Sequence, residues 1–203
     1  MKKNKISKNW INKQRRDIYV RQSKIDGYRS RAAYKLIEID KKFKILKNGI
    51  SVVDLGAAPG SWSQYISKKT KNTMILSIDI KEMEIVDKVN QIKGDFTELK
   101  NQKIIKDYFN KKVDVVLSDM AENTTGNKNV DSISTGELCK KAMLFAVEVL
   151  NNKGLFVSKI FMGSTFNEIV LNAKQKFCEI NVFKPPSSRK DSKESFIICK
   201  FPR

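Results

Sequence analysis

Residues 52–62 read VVDLGAAPGSW. An apolar run ends on Asp54, passes a turn carrying Gly56, Pro59 and Gly60, and reaches Trp62. This order predicts a buried strand, a tight turn and the start of a helix. Gly56 and Gly60 lack a Cβ, so the backbone can turn sharply there and a ligand can approach closely. The helix that follows offers free N–H groups and a positive dipole end to an anion. A pyrophosphate and a carboxylate both meet that description. The Gly-x-x-x-Gly spacing is not Gly-x-Gly-x-x-Gly, and no Gly-Lys-Ser/Thr follows. A dinucleotide dehydrogenase and a P-loop are therefore disfavoured.

Outward from this turn, helical and strand patterns alternate. AAYKLIEIDKKFKIL has apolar residues at near-helical spacing, with Gly49 as its stop, and leads into the strand SVVDL. A helix is expected from about Gly60 to Lys69, then strands TMILSID and VNQIKGD. The helical FTELKNQKIIKDYF precedes the strand VDVVLSD, and a long helix runs from Ser134 to Leu150. The strand GLFVSKIF, the helix TFNEIVLNAKQKF and the strands EINVFK and ESFIICK complete the chain. Alternation of this kind predicts an α/β fold with a mainly parallel sheet and helices on both faces. Only PPSSRKDSK joins the last two strands, so they should form an antiparallel pair at one side. Residues 1–30 read as a basic extension and 31–203 as one domain.

In such sheets ligands sit beyond the carboxyl ends of the parallel strands. Asp79, ending the second strand, is placed for the hydroxyls of a ribose, and Asp95, ending the third, for an adenine. Asp95 could equally cap the helix after it. A carboxylate beside an adenosine suits S-adenosylmethionine. Asp119 and Lys159 end two further strands on the same edge, and the reversed last strand starts there with Glu194. Topology therefore gathers Asp119, Lys159 and Glu194. It does not fix Lys35, which lies before the first strand.

The charge balance points to a polyanionic partner. The 203 residues carry a net charge of +18, for which nucleic acid is the first candidate and an anionic membrane surface the rival. Residues 1–35 hold twelve Lys or Arg against Asp17 and Asp26, with Trp10, Tyr19, Tyr28 and Tyr34 between them. Residues 1–9 read as a solvated tail; a transit segment is the alternative. In YRSRAAYKL, by contrast, Arg29, Arg31 and Lys35 are assigned to RNA, as are Arg189 and Lys190 in PPSSRKDSK. No apolar run approaches the length of a membrane span. Three scattered cysteines suggest neither a disulfide framework nor a zinc site, and fit a reducing cytoplasm. With no histidine, a Ser-His-Asp triad and a His-ligated metal are excluded. A monomer without metal is expected.

YRSRAAYKL, VVDLGAAPGSWSQ, GDF, LSDMAENTTG, FVSKIFMG and KPPSSRKDSKESFII, in that order, resemble the RrmJ/FtsJ family of ribose 2′-O-methyltransferases. The resemblance runs from about Trp10 to Cys199. It implies a seven-stranded Rossmann-like fold with S-adenosylmethionine as methyl donor. It implies a Lys-Asp-Lys-Glu tetrad at Lys35, Asp119, Lys159 and Glu194, and cofactor contacts at Gly60, Trp62, Asp79, Asp95 and Asp119. The implied substrate is a uridine ribose in the A-loop of large-subunit (23S) rRNA within the ribosomal particle. A family member acting on tRNA or mRNA is one alternative; a non-catalytic RNA-binding assembly factor is another. Ser61, Glu122 and Met162 stand where the family usually has glycine, proline and glutamine. Lys159 is the expected proton acceptor. A free lysine with a pKa near roughly 10.4 would be protonated; burial, the sulfonium and Lys35 push that value down, while Asp119 and Glu194 push the other way. Lys35 could instead hold the RNA.

Overall fold

The computed structural model describes residues 17–121 and 128–203, so the basic residues 1–16, with Trp10, and Glu122 lie outside the described residues. Helices α1 (Ile18–Ile25) and α2 (Ala32–Phe43) precede β1 (Ser51–Leu55), α3 (Ser61–Lys69), β2 (Met74–Asp79) and β3 (Asn90–Lys93). Then come α4 (Leu99–Phe109), β4 (Val113–Ser118), α5 (Lys128–Val149), β5 (Leu150–Phe161), α6 (Phe166–Lys176), β6 (Phe177–Phe183) and β7 (Glu194–Pro202). The strands form one sheet in the order β3-β2-β1-β4-β5-β7-β6. Pairing is parallel from β3 to β5, and β7 runs antiparallel to both β5 and β6.

The expected α/β architecture is present. All five residues of β1 are buried, as suits a central parallel strand covered on both faces. One core cluster joins Val53, Leu55, Leu76, Val116 and Phe156 to Ala142, Met143 and Ala146 of α5. The other packs Leu36 and Ile39 of α2 and Trp62 and Ile66 of α3 against Val52, Val115 and Phe196. The central strands are thus clamped between two apolar layers, and their carboxyl ends form a rigid shelf.

Several boundaries differ from the sequence pattern, among them those of three helices. α2 stops at Phe43, not near Gly49, because Lys44 turns left-handed at φ 53°. Ile45 and Leu46 still reach the core, and the Asp40 carboxylate accepts the Leu46 N–H at 2.9 Å. α5 begins at Lys128, six residues earlier than expected. Third, α1 lies within the expected extension. It has no apolar stripe, since Ile18 and Ile25 are exposed, and is started by Asp17, whose carboxylate accepts the Tyr19 N–H. From Asp17 onward this segment is tied to the fold: Tyr19 packs on Tyr34, Arg29 N–H donates to Gln64, and Ser30 hydrogen-bonds Ser61.

Candidate active site

A cavity of about 420 Å³ opens at the carboxyl ends of β1, β2 and β4, lined by Gly56, Ala58, Asp79, Asp95, Asp119 and Met120 among others. Gly56 sits at φ +72°, and a Cβ there would come within 2.3 Å of Met120 Cγ. Asp79 steadies the wall: its carboxylate accepts the N–H groups of Ala58 and Lys81 at 2.9 and 2.8 Å. Asp95 does the same for its own turn by accepting from Thr97 N and Oγ1, both at 2.8 Å. α4 is preceded by Glu98, so Asp95 is not its N-cap.

Two expected cofactor residues stand behind this wall. Gly60, at φ +102°, is constrained by protein, because a Cβ would meet Arg29 Nη1 at 2.8 Å. Trp62 is buried, donates its indole N–H to Ala32 O at 2.9 Å, and borders a pore of about 10 Å³. That pore is roughly the size of one water. Asp54 and Asp119 also border it.

The tetrad expected from the sequence is assembled. Lys35 Nζ donates to Glu194 Oε2 at 2.7 Å and lies 3.9 Å from Asp119 Oδ1. Lys159 Nζ donates to the Asp119 carbonyl at 2.6 Å and ion-pairs with its Oδ1 at 3.0 Å. Asp119 Oδ1 thus faces both Lys159 and, at the longer distance, Lys35. Lys159 is only 7% exposed. Burial pushes the Asp119 carboxyl up, but Lys159 and Lys35 outweigh it and hold it below the usual carboxylate range. Burial likewise works against the Lys35 charge, and Asp119 and Glu194 more than offset it, raising its pKa.

Lys35 and Glu194 also border a second opening of about 220 Å³, with Ser30, Arg31, Arg189 and Ser192. The tetrad therefore spans from the acidic cavity, which Asp119 lines, to a basic cleft. Within the cleft, Arg31 Nη1 pairs closely with Asp17 Oδ2, and Arg189 Nε reaches the same oxygen at 3.4 Å. Arg31 Nη2 also donates to Ser187 O. Lys190 is exposed.

Arg29 departs from its expected role. Its guanidinium donates to the carbonyls of Pro59, Glu84 and Ile85 at 2.8–2.9 Å, which ties the glycine turn to the loop after β2. A guanidinium spent on three carbonyls braces the cavity wall and has little left for RNA.

Two residues had gone unassigned. Asp17 was visible as one of two acids in a basic stretch, but its partners lie 14 and 172 positions away. Asp54 was visible as an acid closing an apolar run. It is fully buried, its Oδ2 accepts from Ser63 Oγ at 2.6 Å, and its Oδ1 has no hydrogen-bond partner among the described residues. Burial, reinforced by Asp119 and Asp79 against the Ser63 bond, raises its pKa to about 7.

Comparison with known proteins matches residues 28–201 to the FtsJ-like methyltransferase family. The chain is 67% identical, over the full length of both proteins, to ribosomal RNA large subunit methyltransferase E of Pelagibacter ubique (strain HTCC1062). It is 46% identical to the protein of that name from Rickettsia bellii (strain RML369-C), over 95% of this chain and 88% of the relative. Among solved structures, a candidate ribosomal RNA methyltransferase from Plasmodium falciparum superposes with a TM-score of 0.79 at 33% identity. The match covers 86% of this chain and 98% of the other.

Proposed function

The chain belongs to the FtsJ-like methyltransferase family, and from that premise we propose that it transfers a methyl group from S-adenosylmethionine to a ribose 2′-hydroxyl of large-subunit rRNA, at a uridine of the A-loop within the ribosomal particle. The observation that carries this reading is the Glu194–Lys35–Asp119–Lys159 chain of charges, which runs from a basic cleft to a cavity lined by strand-end carboxylates. The names of the relatives supply the rRNA.

The residues present fit the cofactor. The cavity has the volume of a small-molecule site. Asp79 and Asp95 offer acceptors to ribose hydroxyls and an adenine amine. Asp119, which also lines the cavity, offers negative charge to a ligand bearing an ammonium and a sulfonium. Bound S-adenosylmethionine supplies an electrophilic methyl group.

The protein's share is to align the hydroxyl and take its proton. Asp119 holds Lys159 by two contacts, its carbonyl and its Oδ1, which leaves the third position on Nζ for the ribose hydroxyl. Lys159 is the proton acceptor. Lys35, clamped between Glu194 and Asp119, fixes the Asp119 carboxylate and presents positive charge to the RNA side.

Lys159→Ala should keep cofactor and particle binding and lose roughly 10²–10⁴-fold in single-turnover methyl transfer. Lys159→Arg should not rescue, because a guanidinium stays protonated. A near-wild-type rate in Lys159→Arg would replace the proton-acceptor role with an electrostatic one.

A further inference from the structure

The side chains on the wall of the 420 Å³ cavity offer many acceptors and few donors. Asp79, Asp95 and Asp119 accept, and the Thr97 hydroxyl, on the same wall, is already given to Asp95 Oδ1 at 2.8 Å. Among the described side chains of that wall, the ammoniums of Lys81 and Lys141 are the donors that remain. Neither ammonium has a hydrogen bond or ion pair among the described residues. Adenine needs such a donor: its amine gives hydrogen, and its ring nitrogens accept it. We propose that Lys141 donates to an adenine ring nitrogen flanking the 6-amine, while Asp95 accepts from that amine, so that the two residues read one edge of the base. This inference rests on the cofactor reading above and adds a residue that fixes the far end of the cofactor.

Packing puts Lys141, rather than Lys81, at the Asp95 end. Leu138, Lys141 and Phe145 follow one another on α5 at spacings of three and four, so they share one face of the helix. The Phe145 ring packs edge-on against Phe96 at 5.3 Å, and Phe96 is the neighbour of Asp95. One turn earlier, Leu138 lines the cavity. A helical side chain leans toward the N-terminus of its helix, so the Lys141 stem runs from the Phe145–Phe96 contact back toward Leu138 and the cavity. Lys81 belongs to the other wall. Its N–H donates to Asp79 Oδ1 at 2.8 Å, the carboxylate placed for the ribose.

Charge permits the contact. A cationic ligand is repelled by a lone ammonium, but Asp79, Asp95 and Asp119 stand on the same wall as Lys141. Adenine is also the end of S-adenosylmethionine farthest from the cofactor's own ammonium. Lys141 is exposed, so its head group keeps water on the solvent side while one N–H turns to the base. Asp95 is set beforehand, because the Thr97 N–H and hydroxyl both hold its Oδ1. That leaves Oδ2 for the amine.

The test is calorimetric binding of S-adenosylhomocysteine and its 1-deaza and 7-deaza analogues to the full chain. Wild type is compared with Lys141→Met, which keeps an unbranched stem and removes the ammonium. Wild type should bind one of the two analogues about tenfold more weakly than the parent, as the loss of one hydrogen bond to a charged group implies. Lys141→Met should lose the same factor on the parent and nothing further on that analogue, so that the two losses do not add. The analogue that behaves in this way identifies the ring nitrogen. Additive losses on both analogues would overturn the proposal, as would a parent affinity unchanged in Lys141→Met, and either result leaves the cofactor reading standing. A wild-type chain that binds no S-adenosylhomocysteine would overturn the cofactor reading and the proposal together.

Discussion

The two openings that meet at the tetrad are built in opposite ways. The cavity side is made by consecutive strand ends and the turns that leave them: Gly56 and Ala58 after β1, Asp79 at the end of β2, Asp95 after β3, Asp119 after β4. The carboxylates of Asp79 and Asp95 are occupied by backbone N–H groups of the turns beside them. The cleft side is made by residues far apart in the chain: Asp17 before α1, Arg31 before α2, and Arg189 before β7. The first region follows from the parallel sheet itself, since any such sheet leaves a crevice at its carboxyl edge. The second requires the N-terminal segment to fold back onto the loop between β6 and β7. In the proposed function, a small, folded cofactor meets a pocket of local origin, while an extended polyanion meets a surface assembled from both ends of the chain.

Arg29 breaks this division most sharply. It sits in the basic stretch, yet its guanidinium braces the cavity wall through Pro59, Glu84 and Ile85. Hydrogen bonds to a charged group are worth about 1.5–3 kcal/mol each, and losing three should loosen the glycine turn. Arg29→Ala should weaken S-adenosylmethionine binding roughly tenfold by calorimetry, about the 1.4 kcal/mol that a decade of affinity requires. Particle affinity should be unchanged. Arg29→Lys should recover only a fraction, because one ammonium cannot span the three carbonyls. The reverse pattern, with cofactor affinity intact and particle affinity lost, would return Arg29 to the RNA side.

A smaller effect is expected at Asp54. Its native pKa of about 7 lies above the roughly 3.9 of an unfolded aspartate. Between those values the native state binds more protons. Its contribution to stability is therefore complete below the unfolded pKa and is lost as pH rises through about 7. The melting temperature of Asp54→Asn relative to wild type should accordingly rise from pH 5 to pH 8. A cationic cofactor favours the ionised carboxylate, so its affinity should climb over the same window in wild type and stay level in the variant. Parallel melting curves would show that Asp54 does not hold its proton.

How far the sequence could be read follows from the same contrast. The crevice was legible because its signals are local: a glycine-rich turn after VVD, acids closing apolar strands, and one lysine inside FVSKIF. Burial of a lysine in such a run demands a partner, and Asp119 supplies it. Lys35 could not be placed, because its position depends on how α2 packs over β1 and β7 rather than on any pattern within α2. α1 was missed for want of an apolar stripe. Gly60 and Arg29 were assigned to a ligand each, and in the structure they also pack on one another. A glycine that admits a ligand and one that admits an arginine look alike in sequence.

The central claim is most directly tested by the chemical position of the methyl group. Large subunits lacking the modification would be incubated with the protein and methyl-labelled S-adenosylmethionine, and the rRNA then hydrolysed in alkali. A 2′-O-methyl group removes the hydroxyl that attacks the neighbouring phosphodiester. The account predicts that the label stays in a single alkali-resistant dinucleotide with uridine at its 5′ position. Label released in mononucleotides would mean methylation of a base, and would contradict it.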